Sequence, residues 1–428
     1  MAVPTPDYTP AFRRYDPVVV EALGRIERAR GIIDSTQVLP AQEDILRRAA
    51  LVGSVHYSNL IEGNELPLIE ALRAVDEELA PTDRSKLELV NYVEALKFIE
   101  RRQRAGTIAY NPEFLKELHG VLTKGLGRPS SGGRGFQPHH EGAWRDGQVV
   151  VGDALAIYHM PPPNDAVPGL MDARLDWLER KRTSDEYPVP IVAAVAHFEI
   201  AEVHPFADYN GRAARLFETA IFFRENFIAR RLFSPERFYA ENRDAYLEAL
   251  RAFQRTRNLN DWLPYYAGGL AQEFERVAER VQRLNRVTQA LSLPLQLTSV
   301  QERAVADLTT GQKSEIRPGA FAAEIAVARD RVSSDLNELE RLGILRAEGT
   351  TRNRRFTLRH PRTGPRTGTA GRPRRWDEPR IRAELTVLVA DVGGWPSRKD
   401  FEAAGRLGLY VAMSRHGGVK RWRIELGY

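Results

Sequence analysis

The chain contains no cysteine among its 428 residues and only four methionines. Without thiols it cannot form disulfides, bind metals through thiolates or use a cysteine nucleophile. Its nine histidines show no pair at the spacing that binds zinc from one helix face. The adjacent His139 and His140 lie in a glycine-rich stretch. The composition therefore excludes thiol chemistry and gives no indication of a zinc site.

Long apolar runs are missing as well. No stretch of about 18 apolar residues, the length needed to span a membrane as a helix, occurs in the chain. Residues 1–16 lack the charged and then apolar pattern of a signal peptide. We therefore expect a cytoplasmic protein without a membrane partner.

The net charge of +5 conceals an uneven distribution. Residues 351–428 hold 18 Lys and Arg against 7 Asp and Glu, which is +11, and the rest of the chain carries −6. A basic segment of this kind is typical of nucleic-acid contacts, although a solvated basic surface accounts for it equally well.

Length and composition predict several domains. The sequence begins with a helical region and continues into a helix-rich core that contains a Gly/Ser/Pro-rich loop. Further helices and a hairpin follow, then a linker rich in Pro, Gly, Thr and Arg, and last a small basic helical module. The predicted boundaries of these five parts are 1–85, 86–290, 295–360, 361–375 and 376–428.

Twelve consecutive residues, His204–Arg215, concentrate reactive side chains in the sequence HPFADYNGRAAR. The apolar run Ile191–Val203 before them predicts a buried helix. Pro205 ends that helix, because the residue before a proline is pushed out of the helical region. Apolar periodicity then resumes, so a second helix is predicted to begin near Asn210 or Gly211. The segment is thus a predicted loop between two helices.

The start of the second helix favours binding of a phosphate chain. Its first amide groups have no partner within the helix, and together with the helix dipole they attract an anion. Gly211 allows a phosphate to approach the backbone closely. Arg212 and Arg215 are three residues apart on one helix face, and their guanidinium groups match phosphate oxygens.

Two further side chains complete a predicted site for phosphoryl or nucleotidyl transfer. Asp208, just before the helix, is a natural magnesium ligand beside the phosphates. His204, with an ordinary pKa of about 6.5, could accept the proton of an attacking hydroxyl group. Each residue alone fits a surface salt bridge, but their joint occurrence indicates a site for a nucleotide polyphosphate.

This segment resembles the signature of the Fic family, HPFx(D/E)GNGRxxR, and departs from it at one position. The resemblance implies a mainly α-helical Fic core with a short β-hairpin flap. It also implies transfer of AMP from ATP to a protein hydroxyl group, with Mg²⁺. The implied roles are general base for His204, magnesium ligand for Asp208, and nucleotide binding for Asn210, Gly211, Arg212 and Arg215.

The departure is Tyr209, where the family usually has glycine. Tyrosine does not easily adopt a positive φ, and its ring would occupy space beside the phosphates. Family members that transfer phosphocholine or phosphate have alanine at this position, so a different donor or ligand orientation stays open. A tyrosine that points outward and leaves the loop unchanged is an equal alternative.

A second motif, Ser58–Asn64 with the sequence SNLIEGN, resembles the inhibitory helix (S/T)xxxE(G/N) of Fic proteins. Ser58 and Glu62 are four residues apart on one helix face, and Gly63 ends the helix after the glutamate. The resemblance implies that Glu62 pairs with Arg215 and opposes productive nucleotide binding. For so short a pattern, an ordinary helix end with an exposed glutamate is the alternative.

Residues 142–163 resemble the flap of the family, a hairpin that borders the active site and binds an extended target segment. The sequence DG at 146–147 favours a tight turn, and main-chain hydrogen bonds at a short strand edge can pair with a target of any sequence. The predicted strand and target contacts are Val149, Val150, Val151 and Gly152.

Tyr246 lies in a segment, 243–250, that resembles the helix closing over the nucleotide base in the family. Its ring could stack on the base. A core tyrosine on an amphipathic helix is the more frequent explanation.

Residues 298–360 resemble a winged helix-turn-helix. The predicted helices are Ser299–Leu308, Ala320–Ala326 and Arg331–Leu342, and the wing runs from Leu345 to Leu358. If this part binds DNA, arginines of the third helix and the wing would contact phosphate. These are Arg329, Arg331, Arg352, Arg354 and Arg355. Winged helices that dock proteins or dimerise are the alternative.

We therefore expect a protein adenylyltransferase that takes ATP as donor, modifies a Ser, Thr or Tyr hydroxyl group of a protein target, and is autoinhibited by Glu62. DNA is a second expected partner, through the C-terminal modules. One alternative is deAMPylation or transfer of another phosphate-linked group on the same scaffold. The other is a nucleotide-sensing transcriptional regulator. The target and the formation of a homo-oligomer stay open.

Overall fold

Two compact units make up the chain, Met1–Pro361 and Arg362–Tyr428. The computed structural model describes residues 8–13, 16–126, 141–152, 157–184, 186–228, 230–290, 297–350, 353–359, 378, 381–382, 385, 388–389, 395–404, 406–416 and 418–426. The mainly α-helical fold class predicted from the sequence is confirmed.

Helices form most of the first unit up to residue 290. They are α1 (Pro17–Ser35), α2 (Pro40–Ile61), α3 (Leu68–Val75), α4 (Arg84–Arg104), α5 (Pro112–Thr123), α6 (Val167–Ser184), α7 (Val189–Val203), α8 (Asn210–Arg224), α9 (Glu236–Glu241), α10 (Arg243–Thr256) and α11 (Trp262–Ala290).

The central helix is α7, and it is apolar around its whole circumference. Such a helix is stable only when neighbours cover every side, and 12 of its 15 residues are buried. Helix α8 packs along it through small and apolar side chains such as Ala213 and Leu216, both 0% exposed. The two helices predicted on either side of the loop are thus confirmed. Their packing fixes both ends of that loop.

Helices α1 and α11 enclose the core from outside and pack against each other along their length. Val19, Ile26 and Ile33 of α1 repeat at helical spacing and are buried. An ion pair joins the two helices, with Arg25 Nη2 2.6 Å from Glu275 Oε2. This pair is about one third exposed, so it contributes little beside the apolar contacts.

The flap differs from its prediction. Its strands are β1 (Val151–Gly152) and β2 (Ile157–His159), which pair antiparallel with Val151 opposite His159. Val149 and Val150 precede the strand, and residues 146–147 form a bend rather than the hairpin turn. At this bend Arg145 Nη1 donates to the Gly147 carbonyl at 3.1 Å, an interaction that the local sequence pattern did not reveal.

Residues 299–358 consist of three helices and a hairpin around their own apolar core. The elements are α12 (Ser299–Thr309), α13 (Pro318–Glu324), α14 (Arg329–Arg341), β3 (Leu345–Glu348) and β4 (Arg355–Leu358). The hairpin register places Leu345 opposite Leu358 and Glu348 opposite Arg355. Helices and hairpin lie where the sequence predicted them, while the assignment to the winged helix-turn-helix family stays a prediction.

Helix α2 links this part to the core. At its N-terminal end Leu39 packs against the apolar core of residues 299–358. The buried Gln42 donates from Nε2 to Thr309 Oγ1 at 2.6 Å. At its C-terminal end α2 stops at Ile61, and Gly63 has a φ of +87°. The helix stop predicted for the inhibitory motif is therefore present.

The second unit has an apolar core that includes Phe401, Met413 and Trp422, each 0% exposed. Its helices are α15 (Arg398–Ala403), α16 (Leu407–Arg415) and α17 (Gly418–Glu425). The linker predicted at 361–375 lies outside the described residues. In the part of the chain that the structure describes, no helix is both long and apolar enough to cross a membrane.

Candidate active site

The loop between α7 and α8 has two residues in the left-handed region, one near each end. His204 follows α7 with φ +51° and ψ +57°, and Tyr209 precedes α8 with φ +63° and ψ +15°. Tyr209 therefore adopts the positive φ that was considered difficult for a tyrosine. Its ring is 4% exposed, so the alternative of an outward-pointing side chain is also wrong.

Asn210 closes the loop from inside. Its Oδ1 accepts a hydrogen bond from the Phe206 amide at 2.9 Å, and its Nδ2 donates to the Phe206 carbonyl at 3.0 Å. Both polar groups of this buried side chain are thus satisfied within the loop. Asn210 shapes the loop around the site, and its side chain is not directed at a ligand.

His204 has the protonation state of a base. Its Nδ1 lies 3.1 Å from the Ala201 carbonyl oxygen, which can only accept, so Nδ1 carries the proton and Nε2 keeps its lone pair. Burial is the main cause that lowers the pKa of His204, to about 4. The imidazole is therefore neutral at physiological pH, with Nε2 ready to accept a proton.

Arg145 ties the flap to the loop. Its Nε donates to the His204 carbonyl at 2.8 Å, and its Nη2 donates to the Pro162 carbonyl. The Arg145 amide also donates to the Pro205 carbonyl at 2.9 Å. The residue is 4% exposed, and burial lowers the pKa of its guanidinium group. Arg145 thus fixes the backbone of the base relative to the flap.

The inhibitory motif contacts Arg215 in α8. Glu62 Oε1 lies 2.7 Å from Arg215 Nη2. Arg215 also donates from Nε to Ser58 Oγ at 2.9 Å and from Nη2 to the Ser58 carbonyl at 3.0 Å. The pairing expected of Ser58, Glu62 and Arg215 is therefore present. The Arg215 side chain is fully buried, whereas that of Glu62 is 32% exposed.

Gly211 leaves room for this carboxylate at the start of α8. A Cβ atom built on Gly211 would lie only 2.3 Å from Glu62 Oε1. Burial raises the pKa of Glu62, but the charges of Arg215 and Arg212 and the hydrogen bond from Arg215 outweigh it and lower the pKa. A charged carboxylate thus lies against the first turn of α8, where a helix binds anions.

A buried polar network supports Arg215 from behind. Arg215 Nη1 donates to the Tyr246 hydroxyl at 3.4 Å, and that hydroxyl lies 2.9 Å from His197 Nε2. His197 Nδ1 in turn lies 2.7 Å from Glu218 Oε2, and both residues are fully buried. Tyr246, 2% exposed, is thus mainly a core residue that braces Arg215, as the alternative interpretation held.

Arg212 points to a different carboxylate. Its Nη1 lies 3.1 Å from Glu88 Oε2 on α4 and donates to Asn59 Oδ1 at 3.1 Å. Ser58 and Asn59, adjacent on α2, thus contact Arg215 and Arg212 respectively. Both arginines face the end of α2, as the common helix face predicted, but the partner Glu88 was not expected.

Asp208 fits a divalent cation. Burial is the main cause that raises the pKa of its carboxyl group, and no salt bridge to it is found among the described residues. Its Oδ1 accepts from the Tyr209 amide at 2.7 Å, and its carbonyl accepts from His119 Nε2 at 3.2 Å. No group of three or more His, Asp or Glu side chains that could hold a metal ion is found among the described residues, so a divalent cation at Asp208 would need further ligands from a bound phosphate chain.

A cavity of about 160 Å³ is lined by His204, Glu62 and Gly211, whereas Asp208, Arg212 and Arg215 are not among its lining residues. Tyr246 of α10 and the flap residues Val151 and His159 also border it. Sites for small molecules usually have at least about 300 Å³, so this cavity is small while the Glu62 carboxylate lies in it.

Other predicted site residues do not lie here. Of the flap residues, Val151 borders the cavity, whereas Val149, Val150 and Gly152 do not. Arg354 pairs with Glu340, and Arg355 with Glu315 and Glu348. Arg329 and Arg331 are exposed at the start of α14, and Arg352 lies outside the described residues.

The residues that contact the loop or the start of α8 and were missed in the sequence include Glu88, Asn59 and His119. His119 is fully buried, and its ring stacks on Phe206 with the centroids 3.7 Å apart. Glu88 and His119 lie on helices distant in sequence from the loop and belong to no local motif, so only the folded chain reveals their contacts. Asn59 had a weak signal, since it is adjacent to Ser58 in the inhibitory motif.

Comparison with known proteins finds similarity in the part of the chain that contains the loop. A model of the Fic/DOC family matches residues 109–222, which include the loop. A protein adenylyltransferase Fic of Nematostella vectensis is 30% identical over 213 residues, which are 48% of this chain and 45% of that protein. The protein of the same name from Culex quinquefasciatus is 26% identical over 208 residues, 47% of this chain and 38% of that protein. The chain spans less than half the length of these two relatives.

Solved structures show the same fold. A Fic family protein from Desulfovibrio desulfuricans G20 superposes with a TM-score of 0.56 at 22% identity, covering 85% of this chain and all of the other. Fic-1 (residues 134–508) of C. elegans gives a TM-score of 0.50 at 21% identity, covering 62% of this chain and 73% of the other. At such identities the likeness concerns the fold alone.

Proposed function

Because residues 109–222 match a model of the Fic/DOC family, we propose that this protein transfers AMP from ATP to a hydroxyl group of a protein target. The relatives named protein adenylyltransferase support this proposal. The observation that carries it is the position of the Glu62 carboxylate, which lies at the start of α8, 2.7 Å from Arg215 Nη2 and in one cavity with His204. This position holds an anion beside a neutral base.

His204 would act as general base. The hydroxyl oxygen of the target attacks the α-phosphorus of ATP while Nε2 of His204 accepts the hydroxyl proton. The bond between the α-phosphorus and the oxygen that bridges to the β-phosphorus breaks, and pyrophosphate leaves with its electron pair. His204 then releases the proton to water, which restores the neutral imidazole.

The remaining residues would hold and neutralise the phosphates. Asp208 would hold Mg²⁺, which supplies positive charge to the phosphate oxygens when bound. The first amide groups of α8 and the absence of a side chain at Gly211 allow close approach of a phosphate. Arg212 and Arg215 would neutralise the outer phosphates.

Glu62 would be an internal inhibitor. Its carboxylate and an outer phosphate of ATP both require Arg215 and the start of α8, and two anions cannot share that place. Glu62 can be displaced because its side chain is partly exposed and lies just beyond the end of α2. The trigger for displacement would be a partner or the target itself.

Transfer is tested with ATP labelled at the α-phosphate and, in parallel, at the γ-phosphate, in a cell lysate containing the wild type, Glu62→Gly or Glu62→Gly with His204→Ala. We expect α-label on protein with Glu62→Gly, little with the wild type, none with the double variant, and no γ-label beyond the level that the lysate kinases produce with the double variant. Mass spectrometry of the labelled protein must show an added AMP group. Transfer of γ-label, or loss of AMP from a modified protein, would favour the alternative reactions on this scaffold.

A second proposal concerns residues 299–358. The exposed Arg329 and Arg331 at the start of α14 support contact with DNA. The pairing of Arg354 and Arg355 with glutamates weakens the contribution of the hairpin. Binding of the full chain to duplex DNA at several salt concentrations, compared with an Arg329→Ala and Arg331→Ala double variant, tests this. Affinity that does not depend on salt, or is equal in both proteins, would exclude it.

A further inference from the structure

Arg212 is held in a closed arrangement with Tyr209 and Glu88. Its guanidinium carbon lies 3.9 Å from the centre of the Tyr209 ring, and its Nη1 lies 3.1 Å from Glu88 Oε2. The Tyr209 hydroxyl donates to Glu88 Oε1 at 2.7 Å. Each of the three side chains thus contacts the other two, so none can turn without breaking a contact.

The arrangement compensates for tyrosine at a position that needs a positive φ. The left-handed conformation is unfavourable for a residue other than glycine. The Tyr209 hydroxyl bonds to Glu88 and accepts from Arg84 Nη2 at 2.8 Å. Both partners lie in the first turns of α4, so the helix stabilises a loop conformation that the family signature gives to glycine.

Glu88 is itself fixed. Its side chain is 12% exposed and accepts from Asn64 Nδ2 at 3.0 Å. Burial raises the pKa of Glu88, but the charge of Arg212 and the hydrogen bonds from Tyr209 and Asn64 outweigh it and keep the pKa below its ordinary value. Glu88 is therefore a permanent charged partner of Arg212.

Only part of the Arg212 guanidinium group forms hydrogen bonds within the described residues. Nη1 serves both Glu88 and Asn59, whereas Nε is buried and has no hydrogen-bond partner among the described residues. Buried donors usually have a partner. Arg212 follows Gly211, which the Glu62 carboxylate touches, and its charge helps to lower the pKa of Glu62. Arg212 therefore acts on the place where an anion lies.

We propose that Glu88, together with the Tyr209 hydroxyl, is a positioning residue that orients Arg212 toward the phosphates of the nucleotide. The proposal rests on the proposed function of the site. Glu88 holds the guanidinium group through Nη1, and Nε has no hydrogen-bond partner among the described residues. In this chain the tyrosine is thus a structural part of the phosphate site and not a disturbance of it.

The test uses the full chain with Glu62→Gly as background, so that the inhibitory carboxylate does not mask nucleotide binding. Glu88→Gln and Tyr209→Phe each remove one contact while they keep the shape of the side chain. We expect the Kd of Mg-ATP, from calorimetry, and the KM to rise about tenfold in each, with kcat changed less than threefold. A hydrogen bond to a charged group contributes about this much.

The double variant Glu88→Gln with Tyr209→Phe should be little worse than either single variant, because both act on the same arginine. Glu94→Gln is the matched control, since Glu94 lies on the same helix and pairs with Lys97 at the surface. It should leave the Kd unchanged. If Glu88→Gln does not fold, Tyr209→Phe alone decides, since it keeps the ring over Arg212.

An unchanged Kd in Glu88→Gln and Tyr209→Phe would overturn the proposal. A lower Kd would overturn it as well, because it would make Glu88 a second inhibitory carboxylate. Additive effects in the double variant would overturn it as well. If the background variant binds Mg-ATP with these differences but transfers no AMP, the proposed function fails and the role of Glu88 in phosphate binding stands.

Discussion

The end of α2 and the helix α4 each bring one carboxylate to one arginine at the start of α8, and the two pairs differ in how firmly they are held. Glu62 follows the last residue of α2, is 32% exposed, and lies in the cavity with His204. Glu88 lies inside α4, is 12% exposed, and bonds to Tyr209 and Asn64 besides Arg212. An ion pair at a helix end next to a cavity can open, whereas one within a helix and a hydrogen-bond network stays closed.

The largest expected effect is the loss of AMP transfer when His204 is replaced in the Glu62→Gly variant. This loss distinguishes transfer at the site from any unrelated activity. In Glu62→Gly, the further change His204→Ala should lower AMP transfer by at least about a hundredfold, because a general base contributes about 10²–10⁴. The rate of incorporation of α-labelled ATP measures this. His56→Ala is the matched control, since that imidazole lies on α2 and does not line the cavity. An equal loss of AMP transfer with His204→Ala and with His56→Ala would show that His204 is not the general base.

The next effect concerns the pair that can open. Glu62→Gly should raise the transfer rate about ten- to a hundredfold over the wild type, because the hydrogen bond and charge that hold Arg215 contribute roughly 1.5–3 kcal/mol. Glu65→Gly, a change of an exposed glutamate three residues later, should leave the rate unchanged. A rate for Glu62→Gly no higher than that of Glu65→Gly would show that the pair does not control transfer.

Thermal unfolding sharpens the contrast between the pairs. Glu62→Gly leaves the fully buried Arg215 without its carboxylate, so Tm should fall by a few degrees. Mg-ATP should then restore Tm more in Glu62→Gly than in the wild type, because a phosphate replaces the lost negative charge. For Glu88→Gln we expect a similar fall in Tm but a smaller restoration. An equal rise in Tm with Mg-ATP in Glu62→Gly and Glu88→Gln would show that the two ion pairs do not differ in this respect.

The smallest effect is the pH dependence. Burial lowers the pKa of His204 to about 4, and removal of Glu62 lowers it further, since the negative charge raises it. The kcat/KM of Glu62→Gly should therefore stay flat from pH 8 to about pH 5. The depressed pKa also makes the His204 contribution to stability complete above about pH 6.5 and lost as the pH falls toward 4. An acid limb near pH 6.5 in kcat/KM would contradict a buried base.

The loop and its chemistry could be predicted from the sequence because they depend on residues that are close in the chain. The apolar runs on either side, Pro205 and Gly211 fix two helix ends and an anion site between them. The motif Ser58–Glu62 likewise combines helical spacing with a stop signal, and its contact with Arg215 followed from the family resemblance.

The contacts of Glu88 could not be predicted, because α4 and the loop are more than 100 residues apart. The conformation of Tyr209 was judged wrongly for the same reason. The intrinsic preference of tyrosine argues against a positive φ, and tertiary hydrogen bonds from Arg84 and to Glu88 override it. The flap turn was misplaced because strand pairing begins only at Val151, while the Gly147 carbonyl accepts a hydrogen bond from the Arg145 side chain.

Calorimetric titration of Mg-ATP into the full chain and into Glu62→Gly tests most directly whether the carboxylate and the nucleotide compete for the same place. It requires no knowledge of the target. We expect Glu62→Gly to bind Mg-ATP at least about tenfold more tightly than the wild type, a difference of roughly 1.4 kcal/mol. Equal affinities would contradict the account, because they would mean that Glu62 and the phosphates do not share Arg215.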